Sequence, residues 1–536
     1  MDATPHWRST TIRGSGNNPV GMDVGQTGKS LQLGVNACCV VAFILYGWEK
    51  GVFGPILKNE DWLDLFSHPS DSATGIIVSC YNLGCLLGCA MTFLFDERLG
   101  RRWTIWIAMS QIAIGTALQV SAYHIAHLIV GRVVTGMGTG LKTSTVPMYQ
   151  SELCPPTTRG RLVSADVMFV GIGINIASWF NFGMSYVGGP VAWRLPISIQ
   201  ALFAIGVIFL VFALPESPRW LFNHGRQEEA IEVLCLIYDK DPVDPVILAE
   251  RSAIQQAIAL ESIGTQQGQG FFSIFKRDRV RTGYRIFLAW FIQFMNQASG
   301  INLVVYYIPV VLQDSVGLTG RTSSILGGFI LLMFVVGGIW PSLALDRMGR
   351  RKTMMWGCGV LGVSMLFIAC LLSQADKETA RGQEFAIASV AFFFVYMLGF
   401  GSSVNCVPWV YVPEILPLEA RTRGTAIGVS SNWLWNFTVA MITPVILNRL
   451  GWKAYLIFTA TNLASIPFVY FLYPETSNLR LEDVDFIFSS GGNPVIVAKE
   501  LQSSMKTSLS ACHGNSGEAG ANPVGQGDEN KKLGTE

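Results

Sequence analysis

Residues Gly131–Leu162 read GRVVTGMGTGLKTSTVPMYQSELCPPTTRGRL, apolar and glycine-rich at one end and charged at the other. Arg132 closes an apolar run that starts at His127. An ionisable side chain inside a membrane helix costs at least a few kcal/mol and faces a partner or an aqueous cavity, which makes it a functional-site candidate. Gly136 and Gly140 share one helical face and let two backbones approach closely, which is how membrane helices pack when water supplies no driving force. Ser151, Glu152, Arg159 and Arg161 mark the exit to an aqueous face. One helix is therefore expected to hold a buried charge at one end and a charged gate at the other.

Composition places this helix in a membrane protein. Of 536 residues, 50% are hydrophobic and 14% charged, with mean hydropathy +0.39, whereas soluble domains carry roughly 25% charged residues. The net charge of +1 gives no support to nucleic-acid binding. Most of the 11 cysteines, among them Cys38, Cys39, Cys80, Cys85, Cys89, Cys358, Cys370 and Cys406, lie in or beside apolar runs and are expected to act as small hydrophobes. No metal-ligand spacing joins them. The first thirty or so residues have no apolar core, so no cleavable signal peptide is expected and the first membrane helix serves as the insertion signal.

Runs of about eighteen or more mainly apolar residues are candidate spans. Twelve are read, near 33–54, 74–95, 103–122, 125–147, 163–185, 195–214, 284–312, 323–345, 353–373, 385–407, 424–447 and 454–473. The polar stretch 215–283, with helix-like segments Arg226–Tyr238 and Pro245–Ile263, divides them six and six. The expected fold is an all-α polytopic membrane protein with an N-terminal tail (1–32), a six-helix bundle (33–214), a central loop with short helices (215–283), a second six-helix bundle (284–473) and a largely disordered tail (474–536). Arg98, Arg101 and Arg102, then Arg159 and Arg161, then Arg219 to Arg285, then Arg347 to Lys352, then Arg421 and Arg423 all fall in alternate connections. By the positive-inside rule both termini and the central loop face the cytoplasm. The sequon at Asn436 lies inside a span and is not expected to be glycosylated.

The two halves repeat. Glu97 to Arg102 reappears as Asp346 to Arg351. Ser151-Glu152 with Arg159-Gly160 reappears as Pro413-Glu414 with Arg421 to Gly424. Pro215 to Pro218 matches Pro474 to Ser477. Duplicated halves in this order mark a secondary transporter whose site lies between them.

With GR-x3-G-x-G-x-G at Gly131–Gly140, P-x-Y-x-SE-x2-P-x3-RG at Pro147–Gly160, PESPRW at Pro215–Trp220, a glutamine helix with Gly300 and Asn302, and PET at Pro474–Thr476, the chain resembles the sugar porter family of the major facilitator superfamily, most of all its fungal members. The resemblance covers roughly 35–485. It implies two rocking six-helix bundles carrying a hexose, pentose, polyol or similar solute.

Amides supply paired donors and acceptors to hydroxylated ligands without charge. Gln293, Asn296 and Gln297 share a face of the seventh span, and Gly300 is expected to loosen that helix beside Asn302. Asn432, Trp433 and Asn436 on the eleventh span and Trp409 on the tenth complete an amide and indole set suited to a sugar. Helix glue is the other role open to these amides. The resemblance places Gln293, Gln297, Asn302 and Asn432 at sugar-binding positions. It also shows departures: Asn296 replaces a glutamine, Val167 and Phe334 stand where polar contacts are usual, and Ser402 to Cys406 replaces Gly, Pro and Trp residues. A larger or less hydroxylated substrate than glucose fits these changes.

Glu49 stands where the resemblance puts an Asp on the first span, and in proton-coupled members that acid pairs with the arginine matching Arg132. Burial disfavours a charged carboxylate and a nearby cation favours it, so a moving partner can load or release a proton. Lys50 is unusual, able to neutralise Glu49 or to lie near the outer mouth. Proton symport is the leading expectation, with uniport the alternative. Glu152, Arg159, Glu216, Glu414, Arg421 and Glu475, with Arg101, Arg102, Arg350 and Arg351, read as a gate whose ion pairs across the two halves hold the inner side closed. Topology alone accounts for part of these arginines. The expected protein is a monomeric plasma-membrane carrier of a sugar or polyol, without cofactor, metal or nucleophile set. A carrier of a less sugar-like metabolite and a non-transporting nutrient sensor remain open alternatives.

Overall fold

Apolar runs and their punctuation set the helices. The structure, a computed structural model, describes residues 28–154, 156–266, 278, 280–375, 379–417, 420–477, 479 and 481–504, with the side chains of all of these except 93–97, 156–164, 257, 260–266, 346, 422, 481 and 482. The first half comprises α1 (Lys29–Gly51) and its short continuation α2 (Phe53–Ile56), α3 (Glu60–Leu65), α4 (Asp71–Leu99), α5 (Arg101–Val120), α6 (Ile125–Leu153), α7 (Pro156–Met184) and α8 (Val191–Phe212). The polar stretch holds α9 (Pro218–Asn223), α10 (Gln227–Tyr238) and α11 (Pro245–Gln266). The second half comprises α12 (Thr282–Ala298), α13 (Ile301–Asp314), α14 (Gly320–Met348), α15 (Arg350–Ser373), α16 (Ala380–Ser402), α17 (Val407–Ile415), α18 (Arg421–Leu450) and α19 (Lys453–Leu472), followed by α20 (Leu481–Ser489).

Each expected span lies on a helix or helix pair, and most helices run a few residues past the apolar run into charged connections. Among the described residues nine spans are long and apolar enough to cross a membrane unaided. The remainder are α6, which carries Arg132 and Lys142, the pair α12 and α13, and α18, which carry the buried amides. Function has diluted their hydropathy, and their place in the bilayer rests on packing inside the bundles.

Close backbone approach explains the glycines of the opening stretch. A Cβ on Gly136 would stand 2.2 Å from the Tyr81 carbonyl oxygen and one on Gly140 2.1 Å from that of Cys85, while Gly84 and Gly88 face them from α4. Gly47 and Gly173 do the same for α1 against α7. Gly140→Ala is expected to push α4 and α6 apart and destabilise the protein by about 1–3 kcal/mol, the usual range for overpacking. Thermal unfolding of the purified protein in detergent checks this, and an unchanged midpoint would contradict the packing account.

Two spans are broken. Gly300 adopts φ 95° between α12 and α13, and a Cβ there would also meet the Phe458 ring at 2.8 Å. The tenth span, read as one run, breaks between Ser402 and Val407. Ser403 Oγ turns back to donate to the Gly399 carbonyl oxygen at 2.5 Å, and the Val404 carbonyl oxygen is taken up by a side chain of α12.

The halves meet along α4 with α18, α7 with α14, and α2 with α13. At the end remote from the arginine-rich connections, Lys58 reaches Asp314 at 2.9 Å, Asn448 donates to Asp71 at 2.5 Å and Asn175 donates to the Gly328 carbonyl oxygen at 2.8 Å. Each of these joins one half to the other, so this end is tied shut. At the other end α1 begins against α10, where Gly28 N–H donates to the Leu236 carbonyl oxygen at 2.7 Å.

The tail 474–536 was expected to be largely disordered, yet a helix spans 494–504. Its Ala498 is buried with the second half's core, and Gln502 donates to the Ser477 carbonyl oxygen. Pro494, Val497, Ala498 and Leu501, at helical spacing, form a packing face there that the glycine-rich composition farther on conceals. The expectation for 505–536, and that for 1–27, lie outside the described residues.

Candidate functional site

Glu49 sits one turn from the end of α1 and is wholly buried. Its Oε2 accepts from Tyr81 OH of α4 at 2.9 Å, from Thr139 Oγ1 of α6 at 2.8 Å and from Lys142 Nζ of α6 at 3.1 Å. Oε1 is buried without a hydrogen-bond partner among the described residues. The expected pairing of Glu49 with Arg132 is thus corrected: the counter-ion is Lys142. Arg132 instead donates Nε to the Ile77 carbonyl oxygen at 3.0 Å and an Nη to that of Val78 at 2.8 Å. Its guanidinium lies 3.8 Å from the Phe53 ring centroid, so α4 carbonyls and an aromatic face hold it in place. Tyr81 connects the two, donating to Glu49 while its ring lies 5.2 Å from the Arg132 guanidinium.

The second half contributes the amides. Asn296 donates to the Val404 carbonyl oxygen at 2.7 Å, Gln297 donates to Asn296 Oδ1 at 2.8 Å and Asn302 donates to Gln297 Oε1 at 2.8 Å. In an unbroken helix residues five apart stand about 140° from each other. The left-handed turn at Gly300 is what brings Asn302 alongside Gln297. Gln293 joins α12 to α18 by accepting from Asn432 Nδ2 at 2.8 Å. Trp433 is fully buried beside it. Trp409 is half-buried on α17, and the structure does not join it to the amides among the described residues.

The two sets touch. The Tyr46 and Trp433 rings meet edge to face at 5.8 Å, and Lys142 Nζ lies 6.0 Å from the Tyr46 ring. Glu49, Lys142, Gln293, Asn296, Gln297, Asn302, Asn432 and Asn436 are each no more than 3% exposed. Yet Gln293 Nε2, Asn432 Oδ1 and both amide atoms of Asn436 lack partners among the described residues. Buried polar atoms are nearly always paired, so this concentration of unmet donors and acceptors between the halves suits a hydroxylated ligand and its water. Ala42, Phe43, Tyr46, Lys142, Thr143 and Val146 line a narrow crevice between α1 and α6, too tight to hold a water molecule. Phe334, at one of the departures, stacks on Phe400 at 5.8 Å and fills the space above Gly171, an apolar wall where a polar contact was usual.

The charged ends repeat in geometry as in sequence. Glu216 accepts from the backbone N–H groups of Arg101 at 3.0 Å and Arg102 at 3.2 Å, capping α5. Glu475 accepts from those of Arg350 at 2.8 Å and Arg351 at 3.1 Å, capping α15. Gly100 and Gly349 both adopt φ 85° to start these helices. Arg101 pairs with Glu152 at 3.2 Å and Arg350 with Glu414 at 2.7 Å. Arg102 and Arg351 each donate to a carbonyl oxygen of the last span of their own half, Phe212 and Tyr470. Arg421 donates to the Leu416 carbonyl oxygen at 3.4 Å. The side chain of Arg159 lies outside the described residues. The ion pairs described here run within each half, where Glu216 and Glu475 cap a helix and Glu152 and Glu414 hold an arginine of the same bundle, bracing that bundle's base; the expected cross-half pairs belong to the state with the outer side open. Burial pushes the Glu216 carboxyl above the ordinary glutamate value, against the Ser217, Arg102 and Arg101 N–H groups that favour its charge. Glu216→Gln and Glu475→Gln are each expected to destabilise by roughly 1–2 kcal/mol, as lost charged caps do, and to add in the double variant. Paired thermal melts check the equivalence of the two halves.

Lys142, Tyr81 and Thr139 were missed by sequence reading, as were Tyr149 and Tyr411, whose hydroxyls donate to the Pro215 and Pro474 carbonyl oxygens. A signal existed for both groups. Thr135, Thr139 and Lys142 form a polar stripe on one face of α6, and each tyrosine precedes its gate glutamate by three residues.

Against this geometry stand the comparisons. The family described as "Sugar (and other) transporter" matches residues 35–488. The MFS-type transporter oryC of Aspergillus oryzae is 37% identical over 88% of this chain and 88% of its own. The sugar transporter STL1 of Saccharomyces cerevisiae is 32% identical over 89% of this chain and 85% of its own. Among solved structures, the proton:xylose symporter XylE bound to 6-bromo-6-deoxy-D-glucose superposes with TM-score 0.72 at 22% identity, over 86% of this chain and all of that one, which shows the shared fold. With the family match spanning nearly the whole helical part and relatives alike over most of their length, the chain belongs to the sugar porter family of the major facilitator superfamily.

Proposed function

We propose that the protein is a proton symporter carrying a sugar or polyol across the plasma membrane by alternating access, as a monomer, with both termini on the cytoplasmic side. The observation that carries this reading is the buried polar path from Glu49 and Lys142 through Tyr46 and Trp433 to Asn432 and Gln293, which links a titratable pair in one half to the amides of the other. The proton enters at Glu49 Oε1, which accepts no hydrogen bond among the described residues. Neutralising Glu49 releases Lys142 beside the Tyr46 ring, at the contact between halves, and so biases a two-state rocking equilibrium. The solute meets Gln293, Gln297, Asn302 and Asn432 through its hydroxyls, with Asn296 and Trp433 shaping the pocket and Trp409 at its margin. The names of the yeast sugar transporter and of the xylose symporter support the solute class. The arginine-rich connections support the orientation.

A second reading, a less hydroxylated solute than a hexose, is favoured by the Phe334 wall against Gly171. Uptake by proteoliposomes of a panel of labelled hexoses, pentoses and polyols, with and without an imposed inward proton gradient, tests the proposal. Gradient-stimulated accumulation of at least one member is expected. Binding without uptake would favour a sensor, and uptake indifferent to the gradient would favour a uniporter.

A further inference from the structure

Phe334 of α14 reaches across the seam into the first half. A Cβ on Gly171 of α7 would stand 2.3 Å from its Cδ1 and 2.6 Å from its Cε1, so only the missing side chain of Gly171 lets the ring in. This is a knob in a hole, made by one residue from each half. Beside the knob, α14 lies backbone to backbone on α16. A Cβ on Gly401 would meet the Phe334 carbonyl oxygen at 2.4 Å, and one on Gly337 the Leu398 carbonyl oxygen at 2.4 Å. Packing this close transmits displacement, so a shifted α14 carries α16 with it.

An aromatic column continues from the knob. The Phe334 ring stacks on Phe400 at 5.8 Å, and Phe400 stacks on Tyr396, one turn earlier on α16, at 6.5 Å. Tyr396 OH donates to the Ser299 carbonyl oxygen at 3.0 Å. That oxygen lacks its helical donor, because the span breaks at left-handed Gly300 and Leu303 N–H turns to the Gly300 carbonyl oxygen at 3.1 Å. An orphaned carbonyl at a helix end takes a donor from outside. Here α16 supplies one through Tyr396 and α19 another through Asn462 Nδ2 at 2.9 Å. Ser299 Oγ in turn donates to the Asn296 carbonyl oxygen at 2.6 Å. The column therefore ends on the turn that sets Asn296 and Gln297 against Asn302.

We infer that Phe334, Phe400 and Tyr396 are positioning residues that carry the state of the seam to the amides. With the remote end tied shut, the ring is seated over Gly171, the column is stacked and Tyr396 holds the Ser299 turn. When the halves part along α7 and α14, the hole leaves the knob and the stack loses its support from the first half. The turn beneath the amides then relaxes. Packed contacts of this kind have discrete seats, so a small shift at the seam becomes a change of state at the site. Phe400 and Tyr396 act on the solute only through Ser299 and Asn296.

This inference rests on the carrier reading, and the test separates the two. Exchange of labelled D-glucose, D-xylose and D-sorbitol by the full-length protein in proteoliposomes gives a rate and a half-saturation. Gly171→Ala overfills the seat and should slow exchange at least about tenfold, equivalent to about 1.4 kcal/mol. Phe334→Ala removes the ring, and in that background Gly171→Ala should change the rate by less than about twofold. Phe334→Leu shortens the knob and should restore part of the rate to Gly171→Ala, which keeps the test available where the alanine variant fails to fold. Tyr396→Phe keeps the ring and loses only the bond to Ser299. It and Phe334→Ala should each raise the half-saturation several-fold. Their double variant should bind no worse than the weaker single one, whereas losses at independent sites add. A Gly171→Ala defect undiminished in both Phe334 backgrounds, or additive losses from Phe334→Ala and Tyr396→Phe, overturns the inference and leaves the carrier reading intact. No exchange of any of the three solutes by the wild type contradicts both.

Discussion

Glu49→Gln is expected to abolish solute accumulation driven by a proton gradient while sparing exchange of labelled for unlabelled solute. One pH unit stores about 1.4 kcal/mol per proton, which at one proton per solute sustains roughly tenfold accumulation. A glutamine keeps an oxygen for Tyr81 OH and Thr139 Oγ1, which hold Glu49 at 2.9 Å and 2.8 Å, so the bundle stays assembled and rocking continues. It cannot take up or release the proton, so the accumulation ratio falls to one. The loss is qualitative because no second carboxylate is joined to the Tyr46–Trp433 seam among the described residues. Gradient-driven accumulation by the glutamine variant at the wild-type level would place the coupling proton elsewhere. Asp166 of α7, buried with one carboxylate oxygen unpaired among the described residues, would then be the group to examine.

Lys142→Met should have the largest effect on stability. Removing one partner of a buried ion pair leaves the other charge uncompensated and typically costs about 3–5 kcal/mol. Glu49 would keep only two neutral hydroxyl donors. The double variant Glu49→Gln/Lys142→Met should regain most of the loss, because a neutral pair of similar volume is often no worse than the ion pair. Arg132→Met provides the control. It removes the guanidinium donor that bridges the Ile77 and Val78 carbonyls, a loss of about 1–3 kcal/mol, and Glu49→Gln should not repair it. A double-mutant cycle measured by chemical or thermal unfolding therefore identifies the counter-ion of Glu49. Coupling of Glu49 to Arg132 rather than to Lys142 would contradict the geometry described here.

The scaffold was readable because its causes are local. Apolar runs, glycine pairs such as Gly136 and Gly140, and repeated charge clusters each have one physical reading, and duplication supplied each motif twice. The amide set was also legible, since Gln293, Asn296 and Gln297 fall on one helical face by number alone. What escaped depended on how separate helices rotate against one another. Arg132 seemed the natural partner of Glu49, but the rotation of α6 turns Arg132 toward α4 carbonyls and presents Lys142 and Thr139 to α1. Lys142 lies inside Gly131–Leu162, where a lysine near the polar end of a span looks like part of its exit. The gate residues are ambiguous for a related reason. Glu152 with Arg101 and Glu414 with Arg350 are equally compatible, in one dimension, with pairs across the halves or within them. Only the positive φ of Gly100 and Gly349, with the caps by Glu216 and Glu475, shows that each carboxylate serves its own bundle. The break after Ser402 was hidden by continuous hydropathy.

The account's central claim is that Glu49, held by Lys142 at the seam between the halves, carries one proton with each solute molecule. The most direct test is the pH of a weakly buffered, de-energised suspension of proteoliposomes when a transported solute is added outside. The account predicts alkalinisation of the medium with a proton-to-solute ratio near one in the wild type and none with Glu49→Gln, although labelled solute still exchanges. Solute entry without any pH change in the wild type, or equal alkalinisation in both proteins, would contradict it.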